Sequence, residues 1–306
     1  AERLQDVPLS VTAYSQETLT AKGIVGYEGL AVETPGVVLN RPSANFNNFT
    51  ARGVATNGYG ANLQSTVAVY IDELPISTIG NTTVLDPNLF DVERVEFLRG
   101  PQGTLFGSGS LSGALRILTR KPDTRAFDAA ALVDIGMTGS DSLRQRYNAM
   151  VNAPLVQDRL AIRAVGFVRK EEGYVDNIGL ARKANSNDLD AYGGRVSLLW
   201  EPTERLSIKL LASYEDSEPR DSSLINPNLG HDTRASDRFD LFQGQLVSYN
   251  ATVEYRFDGA QFTSSSTLSG FDQKFFVDLA GTFLPAGASP MPTSIAFGLD
   301  ATAYMD

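Results

Sequence analysis

The feature that most constrains this chain is a strict alternation of apolar and polar residues along unusually long segments. In residues 247–257 every second position is Val, Tyr, Ala or Phe, and Ser, Asn, Thr, Glu and Arg stand between them. A two-residue period places one face of a β-strand in apolar surroundings and the other in polar surroundings. The pattern recurs from about residue 123 onward over about 10 to 18 residues at a time, whereas strands of soluble sheets usually have five or six. Long strands are therefore predicted, with apolar positions in 127–135, 147–151, 160–168, 196–200, 208–214 and 247–257.

The connections between these segments fall into two classes, which we expect at opposite ends of the strands. Short connections are at 137–141, 155–158, 202–205 and 258–259, and long polar ones are at 170–187, 218–237 and 283–293. Transmembrane barrels combine short periplasmic turns with long external loops. Aromatic residues near the segment ends would form the girdles of such a barrel: Tyr174, Trp200, Tyr214, Tyr255 and Phe257. The pattern favours antiparallel transmembrane β-barrel strands, and a soluble β-sandwich is the alternative.

Composition excludes several other classes of protein. The chain has no Cys, which excludes disulfides, Cys-ligated zinc and a thiol nucleophile. Its single His, His231, cannot build a His-rich metal site, and we expect it to be an ordinary loop residue. A net charge of −10 argues against a chain that coats nucleic acid, because such binding neutralises phosphates with Lys and Arg. No apolar stretch approaches the roughly 20 residues of a spanning helix.

The sequence does not indicate a catalytic site. The adjacent carboxylates Asp72/Glu73 and Glu171/Glu172 are chain neighbours, and neighbours on a strand point to opposite faces, so neither pair converges on a substrate. The Gly- and Ser-containing run at 107–110 has neither a nucleophile elbow nor a nearby base. The chain is therefore not expected to be an enzyme or to bind a cofactor or metal.

The N-terminal part of the chain is organised differently. Strand-like runs occur at 7–12, 67–71, 93–98 and 114–119, and short helices are expected after Ser15 and at 27–32. Gly23 and the residues 34–36 would end the two helices. We predict an α+β domain in residues 1–122 and barrel strands in residues 123–306.

One segment of the N-terminal domain carries a recognisable motif. Residues 91–107 read DVERVEFLRGPQGTLFG and resemble the plug-domain signature of TonB-dependent outer-membrane receptors. Other elements of that plug surround it in the expected order: LQDVPLSVT at 4–12, TPGV at 34–37, ARGV at 51–54, VYID at 69–72 and GALRILTRKP at 113–122. The sequence departs from the commoner pattern at Glu73, at 108–112 and at 115–117. The first and third departures affect turn detail and plug packing, and the second affects what the plug presents to the barrel wall.

The resemblance implies energised import across the outer membrane of a Gram-negative bacterium, most often of a ferric siderophore. The same family imports oligosaccharides, cobalamin and other chelates, and these remain alternatives. A passive porin or structural barrel is a further alternative, although a porin has no need of a folded plug. The implied partners are TonB with ExbB and ExbD, the imported ligand and outer-membrane lipid. In relatives the TonB box lies just upstream of the residues that match Leu4, so this chain begins too late to contain it.

The resemblance also places ligand contacts on the apical plug loops and the long barrel loops. Residues 40–50 and 55–65 combine aromatic faces with hydrogen-bonding groups, which suits a chelate or a sugar. The candidate ligand-binding residues are Arg41, Asn45, Phe46, Asn47, Asn48, Tyr59 and Asn62. The loop at 77–83 is a weaker candidate.

Charged residues of the motif are candidates for contacts between plug and barrel. Arg94, Glu96 and Arg99 flank the apolar strand of the signature. We expect them to bridge to inward-facing charges of the barrel, among them Arg144, Arg146, Arg163 and Glu254. A solvated strand face is the alternative.

The length of the chain conflicts with a complete receptor. Residues 123–306 supply about eight strands, and the interior of an eight-stranded barrel is filled by side chains alone. A plug of about 120 residues has a radius of gyration near 14 Å and would not fit there. Plugged transporters have 22 strands. We therefore expect this chain to be the plug and the N-terminal part of a 22-stranded barrel.

Overall fold

The computed structural model describes residues 10–54, 65–76, 85–107, 109–137, 141–278 and 296–305. The chain forms two packed units, a small mixed domain that we call the plug and a long antiparallel sheet that we call the wall. The last strand of the plug sheet ends at Thr119 and the first strand of the wall begins at Asp128, so the predicted boundary at 122/123 falls in the connection.

The plug is built around a five-stranded sheet of strand order β1-β6-β7-β4-β5. β4 and β7 are parallel, the other neighbours are antiparallel, and β2 and β3 form a separate hairpin. The elements are β1 (Ser10–Ser15), α1 (Gln16–Ala21), α2 (Tyr27–Glu33), β2 (Val37–Ser43), β3 (Phe46–Ala51), β4 (Val67–Ile71), β5 (Leu74–Pro75), β6 (Val92–Arg99), α3 (Gly103–Phe106) and β7 (Gly113–Thr119).

The plug core follows from its apolar pattern. The Ser15 side chain accepts a hydrogen bond from Thr18 N at 3.3 Å, which confirms the predicted N-cap of α1. Tyr27 and Phe49 are buried and pack edge to face, with ring centroids 5.0 Å apart. Leu246 and Phe271 of the wall belong to the same buried cluster. The plug and the wall therefore share one hydrophobic core.

The wall is an antiparallel sheet, eight-stranded within the described residues, in which each long strand pairs with its neighbours in the chain. Its strands have 10 to 18 residues, as the alternation predicts. They are β8 (Asp128–Met137), β9 (Leu143–Val156), β10 (Leu160–Glu171), β12 (Leu189–Thr203), β13 (Leu206–Pro219), β15 (Leu241–Arg256), β16 (Gln261–Asp278) and β17 (Ala296–Met305), while β11 (Asp176–Asn177) and β14 (Thr233–Arg234) pair in parallel outside the wall.

One predicted feature of the connections is wrong. The connection between β8 and β9 is expected on the rim of the short connections. In the structure it lies at the other end of the wall, because Met137 pairs with Leu143 beside the pairing of Arg144 with Glu171. The long connection between β10 and β12 starts at that end too. Successive hairpins alternate ends, so a connection's length does not by itself decide the rim on which it lies.

The outer face of the wall is apolar and exposed. One cross-strand row consists of Val196, Ala212, Tyr249 and Leu268. On β12 this surface runs from Trp200 to Tyr192, which at about 3.3 Å per residue and a tilt of about 40° is about 20 Å high, close to the apolar band of outer-membrane barrels. Other exposed side chains on this face are Val133, Ile135, Tyr147, Val151, Val168, Leu210, Tyr214 and Phe262. None of the described helices is long and apolar enough to cross a membrane.

Candidate functional site

Ion pairs cross the contact between the plug and the inner face of the wall. Among the described residues, three plug aspartates, Asp72, Asp86 and Asp91, contact cationic side chains of the wall. Their partners are spread over three neighbouring strands: Arg163 and Arg169 on β10, Arg195 on β12 and Lys209 on β13. The plug supplies the carboxylates and the wall supplies the cations.

Asp91 makes the most buried of these contacts. Arg163 donates from Nε to Oδ2 at 2.7 Å and from Nη2 to Oδ1 at 2.5 Å, and both side chains are at most 5% exposed. Arg195 Nη2 adds hydrogen bonds to the carbonyl oxygens of Asp91 and Phe90, at 2.7 and 2.9 Å. A two-point guanidinium–carboxylate contact fixes direction as well as distance. This contact ties the start of β6 to the end of the wall that carries the short connections.

Asp72 holds a second position at the same end. Its carboxylate accepts from Thr119 N and Oγ1, at 2.8 and 2.6 Å, and from Lys209 Nζ at 2.7 Å. Asp72 directly follows β4, and its backbone has a φ of +51°. Asp tolerates this left-handed conformation better than most residues. The turn after β4 therefore joins the plug sheet to β13.

Asp86 is the hub of the third contact. Its Oδ1 accepts from Tyr27 N at 2.8 Å, and its Oδ2 accepts from Arg41 Nη2 and Arg169 Nη1, each at 3.1 Å. The N-cap residue of α2 is Gly26, which has no side chain to cap the helix, so Asp86 does so from a distant segment. Burial raises the pKa of the Tyr27 phenol well above its usual value, and the nearby Asp86 charge adds to this.

The β2–β3 hairpin contacts three wall strands, β13, β15 and β16, at the end of the wall that carries the long connections. Asn45 Nδ2 donates to the carbonyl oxygens of Ser217 and Phe242, at 3.0 and 2.7 Å, and Ser217 Oγ donates to Asn45 Oδ1 at 2.8 Å. Phe46 packs against Phe242 and Phe275, with ring centroids 6.2 and 6.4 Å apart. The tip of the hairpin is therefore held by the wall near the long connections.

The candidate ligand residues have mixed positions. Asn45, Phe46, Asn47 and Asn48 lie in the buried contact region and not on an open loop surface, because the hairpin packs against the wall. Arg41 alone of the described candidates lines a cavity that faces the long connections. Tyr59, Asn62 and the loop at 77–83 lie outside the described residues. The assignment of these residues to ligand binding stays a prediction.

The charged motif residues do not make the bridges expected of them. Arg94 pairs with Glu93 and Glu96, and Glu96 pairs with Arg116, all within the plug. Arg99 Nη1 donates to the carbonyl oxygen of Pro35, also in the plug.

The predicted wall residues also have partners other than those expected. Arg144 pairs with Asp134, and Arg146 pairs with Glu171, within the wall. Glu254 lines a cavity beside the short connections. Only Arg163 of the predicted set reaches the plug, through Asp91. Sequence reasoning missed Asp72, Asp86 and Asp91, although two of them end or begin quoted motif segments.

Two cavities lie beside these ion pairs. The outer cavity, of about 490 Å³, is next to the long connections and is lined by Arg41, Tyr174, Asn187 and Asp232 among others. The inner cavity, of about 460 Å³, lies between α1 and the wall and is lined by Leu19, Asp86, Asn148, Phe167 and Glu215 among others. Both volumes are in the usual range for small-molecule sites, and Arg, Tyr and Asn provide charge, aromatic faces and hydrogen bonds.

The described residues do not provide a metal centre. His231 is exposed in the long connection after β13, where its Nδ1 is 2.7 Å from Asp232 Oδ2. Within the described part of the chain, no group of three or more His, Asp or Glu side chains is arranged to hold a metal ion.

Comparison with known proteins agrees with this architecture. Residues 3–114 match the family model described as the TonB-dependent Receptor Plug Domain. The chain is 30% identical to the pesticin receptor of Yersinia pestis over 62% of this chain and 26% of that protein. It is 24% identical to the ferripyoverdine receptor of Pseudomonas aeruginosa over 71% of this chain and 24% of that protein. The chain therefore spans about a quarter of the length of these curated relatives.

A solved structure shares the fold of both units. The ferric yersiniabactin uptake receptor FyuA from Yersinia pestis superposes with a TM-score of 0.69 at 21% identity, covering 87% of this chain and 42% of that one. The predicted fold, a plug followed by antiparallel strands, is confirmed. Residues 3–114 are a TonB-dependent receptor plug domain, and the strands that follow share the fold of that solved structure.

Proposed function

We propose that this chain is part of a TonB-dependent receptor that imports a ferric siderophore across the outer membrane of a Gram-negative bacterium. The observation that carries the proposal is a folded plug held by ion pairs against the polar inner face of a wall whose outer face is apolar. An apolar outer face suits lipid, and a folded domain on the inner face blocks free diffusion. The names of two similar proteins, the ferripyoverdine receptor and the ferric yersiniabactin uptake receptor, favour an iron chelate as cargo.

Import through such a structure requires work. Ligand binding alone favours only the state to which the ligand binds better, and a plug held by buried ion pairs does not leave spontaneously. The outer membrane has no ATP, so the energy must reach the plug by contact with TonB, driven by ExbB and ExbD. Binding outside, followed by energised release inside, is the expected cycle.

The experiment is uptake of radioactive iron by whole cells that carry the full-length receptor. Three probes, a ferric hydroxamate, a ferric catecholate and ferric citrate, are supplied to cells with and without TonB. We expect one chelate to be taken up only in cells that have both the receptor and TonB. Uptake that does not depend on TonB would support a passive porin instead. TonB-dependent uptake of cobalamin or an oligosaccharide, with no uptake of the iron chelates, would contradict the siderophore assignment.

A further inference from the structure

The outer and inner cavities meet at two arginines. Arg144 and Arg146 line both cavities, and each lies on the inner face of β9. The outer cavity lies beside the long connections, and the inner cavity extends from the two arginines to α1. A solute that moves between the two cavities along β9 therefore passes these two side chains.

Arg146 occupies an electrostatically unfavourable position. It lies directly across from Arg169 in the register of β9 and β10, so two guanidinium groups share one face of neighbouring strands. Like charges placed opposite one another destabilise a sheet. Glu171 offsets this repulsion, since its Oε1 accepts from Arg146 Nε at 2.8 Å and from Arg169 Nε at 2.7 Å.

The second carboxylate of this cluster belongs to the plug. Asp86 Oδ2 accepts from Arg169 Nη1 at 3.1 Å and from Arg41 Nη2 at 3.1 Å, and the Arg41 side chain lines the outer cavity. While the plug is in place, Arg146 and Arg169 are matched by two carboxylates, Glu171 and Asp86. When Asp86 moves away, Glu171 is the carboxylate that still accepts hydrogen bonds from both cations, which are only 13% and 11% exposed. An incompletely compensated charge at such a site is strongly unfavourable.

We propose that Arg146 is a gate between the two cavities, closed by Glu171 while Asp86 holds Arg169 and released when the plug withdraws Asp86. The excess positive charge at the open gate favours passage of an anionic chelate. This inference rests on the proposed import function and adds a route along β8–β10 with the residue that closes it. Arg146 acts by position and charge, and it forms no covalent bond with the cargo.

The gate is tested with single Cys reporters introduced into these 306 residues, which contain no Cys of their own, and the receptor without a reporter gives the background labelling. Asn148→Cys places a reporter in the inner cavity, and Asn187→Cys places a control reporter in the outer cavity. Whole cells without TonB, carrying the full-length receptor, are treated with a membrane-impermeant maleimide. Arg146→Ala removes a steric and charged barrier and should raise the labelling rate at Asn148→Cys about 10-fold, which corresponds to a barrier lowered by about 1.4 kcal/mol. The labelling rate at Asn187→Cys should not change.

Charge selection tests the role of the plug carboxylate. With Asp86→Asn, an anionic sulfonate methanethiosulfonate should modify Asn148→Cys about 5-fold faster than a cationic trimethylammonium one, because the Arg pair then carries excess positive charge. Arg146→Ala added to Asp86→Asn should remove this preference. Arg125→Ala is the control, because its ion pair with Asp158 is exposed, 80% and 64%, at the opposite end of the wall.

Three outcomes would overturn the proposal. One is unchanged labelling of Asn148→Cys in Arg146→Ala, and another is an equal rate for both charged reagents in Asp86→Asn. The third is an equal rise in the labelling rate at Ala68→Cys, a buried plug position, when Arg146→Ala is introduced. Such a rise would indicate general loosening of the plug. The labelling uses neither iron nor TonB, so failure of the gate is distinguishable from failure of the siderophore assignment in the uptake experiment.

Discussion

Two buried ionic clusters in this chain use the same chemistry in opposite ways. In the long connection after β13, Arg234 is fully buried and pairs with Asp221 at 2.6 Å and Asp240 at 2.8 Å. All three residues lie in one connection, and Ser186 Oγ joins a second connection to it through Asp221. The cluster of Asp86, Arg169, Glu171 and Arg146 spans the plug and the wall instead.

The difference shows how burial of charge can fix a structure or prepare it to move. No movement of the plug separates the members of the Arg234 cluster, so that cluster holds two long connections together throughout the proposed cycle. Withdrawal of the plug divides the Asp86 cluster and leaves Arg146 and Arg169 to share Glu171. The two clusters therefore differ in whether their members lie on one side of the contact between plug and wall or on both sides. The strength of the individual ion pairs does not distinguish them.

The largest effect should follow from Arg234→Ala. It leaves Asp221 and Asp240 buried without their cation, which should destabilise the long connections by about 4–5 kcal/mol. Hydrogen exchange of the full-length receptor should accelerate in residues 172–188 and 220–240. Exchange in the plug sheet should not change, and an equal acceleration there would erase the distinction between the two clusters.

A slightly smaller effect, of about 3 kcal/mol, is expected for Asp91→Ala, which leaves the buried Arg163 with only a 3.9 Å ion pair to Asp128. Here the plug should loosen while the long connections keep their exchange rates. Urea titration of the purified receptor, followed by hydrogen exchange at β6, measures the change. In a double-mutant cycle with Arg163→Ala, the coupling should exceed about 1.5 kcal/mol. Additive effects of the two substitutions would show that the contact contributes nothing as a pair.

Gly26→Ala tests the Asp86 hub without removing a charge. A Cβ at Gly26 would lie 2.6 Å from Asp86 Oδ1, so the carboxylate must shift from the start of α2. Overpacking of this kind should destabilise the plug by about 1–3 kcal/mol. Gly103→Ala is the matched control, because a Cβ there meets nothing within 4 Å. Equal urea midpoints for the two variants would contradict the close approach at Gly26.

The smallest effect serves as the reference for both clusters. Arg125→Ala breaks an exposed ion pair with Asp158, 3.3 Å long, and should change the free energy of unfolding, measured by urea titration, by less than about 0.5 kcal/mol. A larger loss would mean that surface charge, and not burial, governs the stability of this chain.

Sequence periodicity was sufficient to predict the wall strands but not the contacts on their inner face. β15 spans Leu241–Arg256, in agreement with the alternation in 247–257, because strand period depends on local pattern alone. The pairing of Asp91 with Arg163 depends on how two distant segments are placed against each other. The sequence alone does not show this placement, and it therefore predicts an ion pair between Arg94 and the wall. In the structure Arg94 forms its ion pairs with Glu93 and Glu96 of its own strand.

Burial within the loops was equally hidden in the sequence. Arg234 lies in a polar connection whose composition predicts exposure, yet Asp221, Ser222, Ser236 and Asp240 enclose it. Likewise, the composition of the Asn-rich stretch around Asn45 is typical of a solvated loop, but Asn45 is buried because it hydrogen-bonds to backbone carbonyls and to Ser217 of the wall. Polar composition indicates exposure only when no polar partner lies nearby in space.

The left-handed backbones of Asp72 and Asp91, with φ of +51° and +60°, restrict how these positions can change during evolution. Most residues with a Cβ pay about 1–2 kcal/mol in this conformation, and Asp, Asn and Gly are the residues that visit it most readily. Of these three, Asp alone also supplies the negative charge that the wall cations require. Asp72→Asn and Asp91→Asn therefore separate the backbone requirement from the charge requirement. A homologue with Asn at these two positions would keep the turns and lose the ion pairs with Lys209 and Arg163 of the wall.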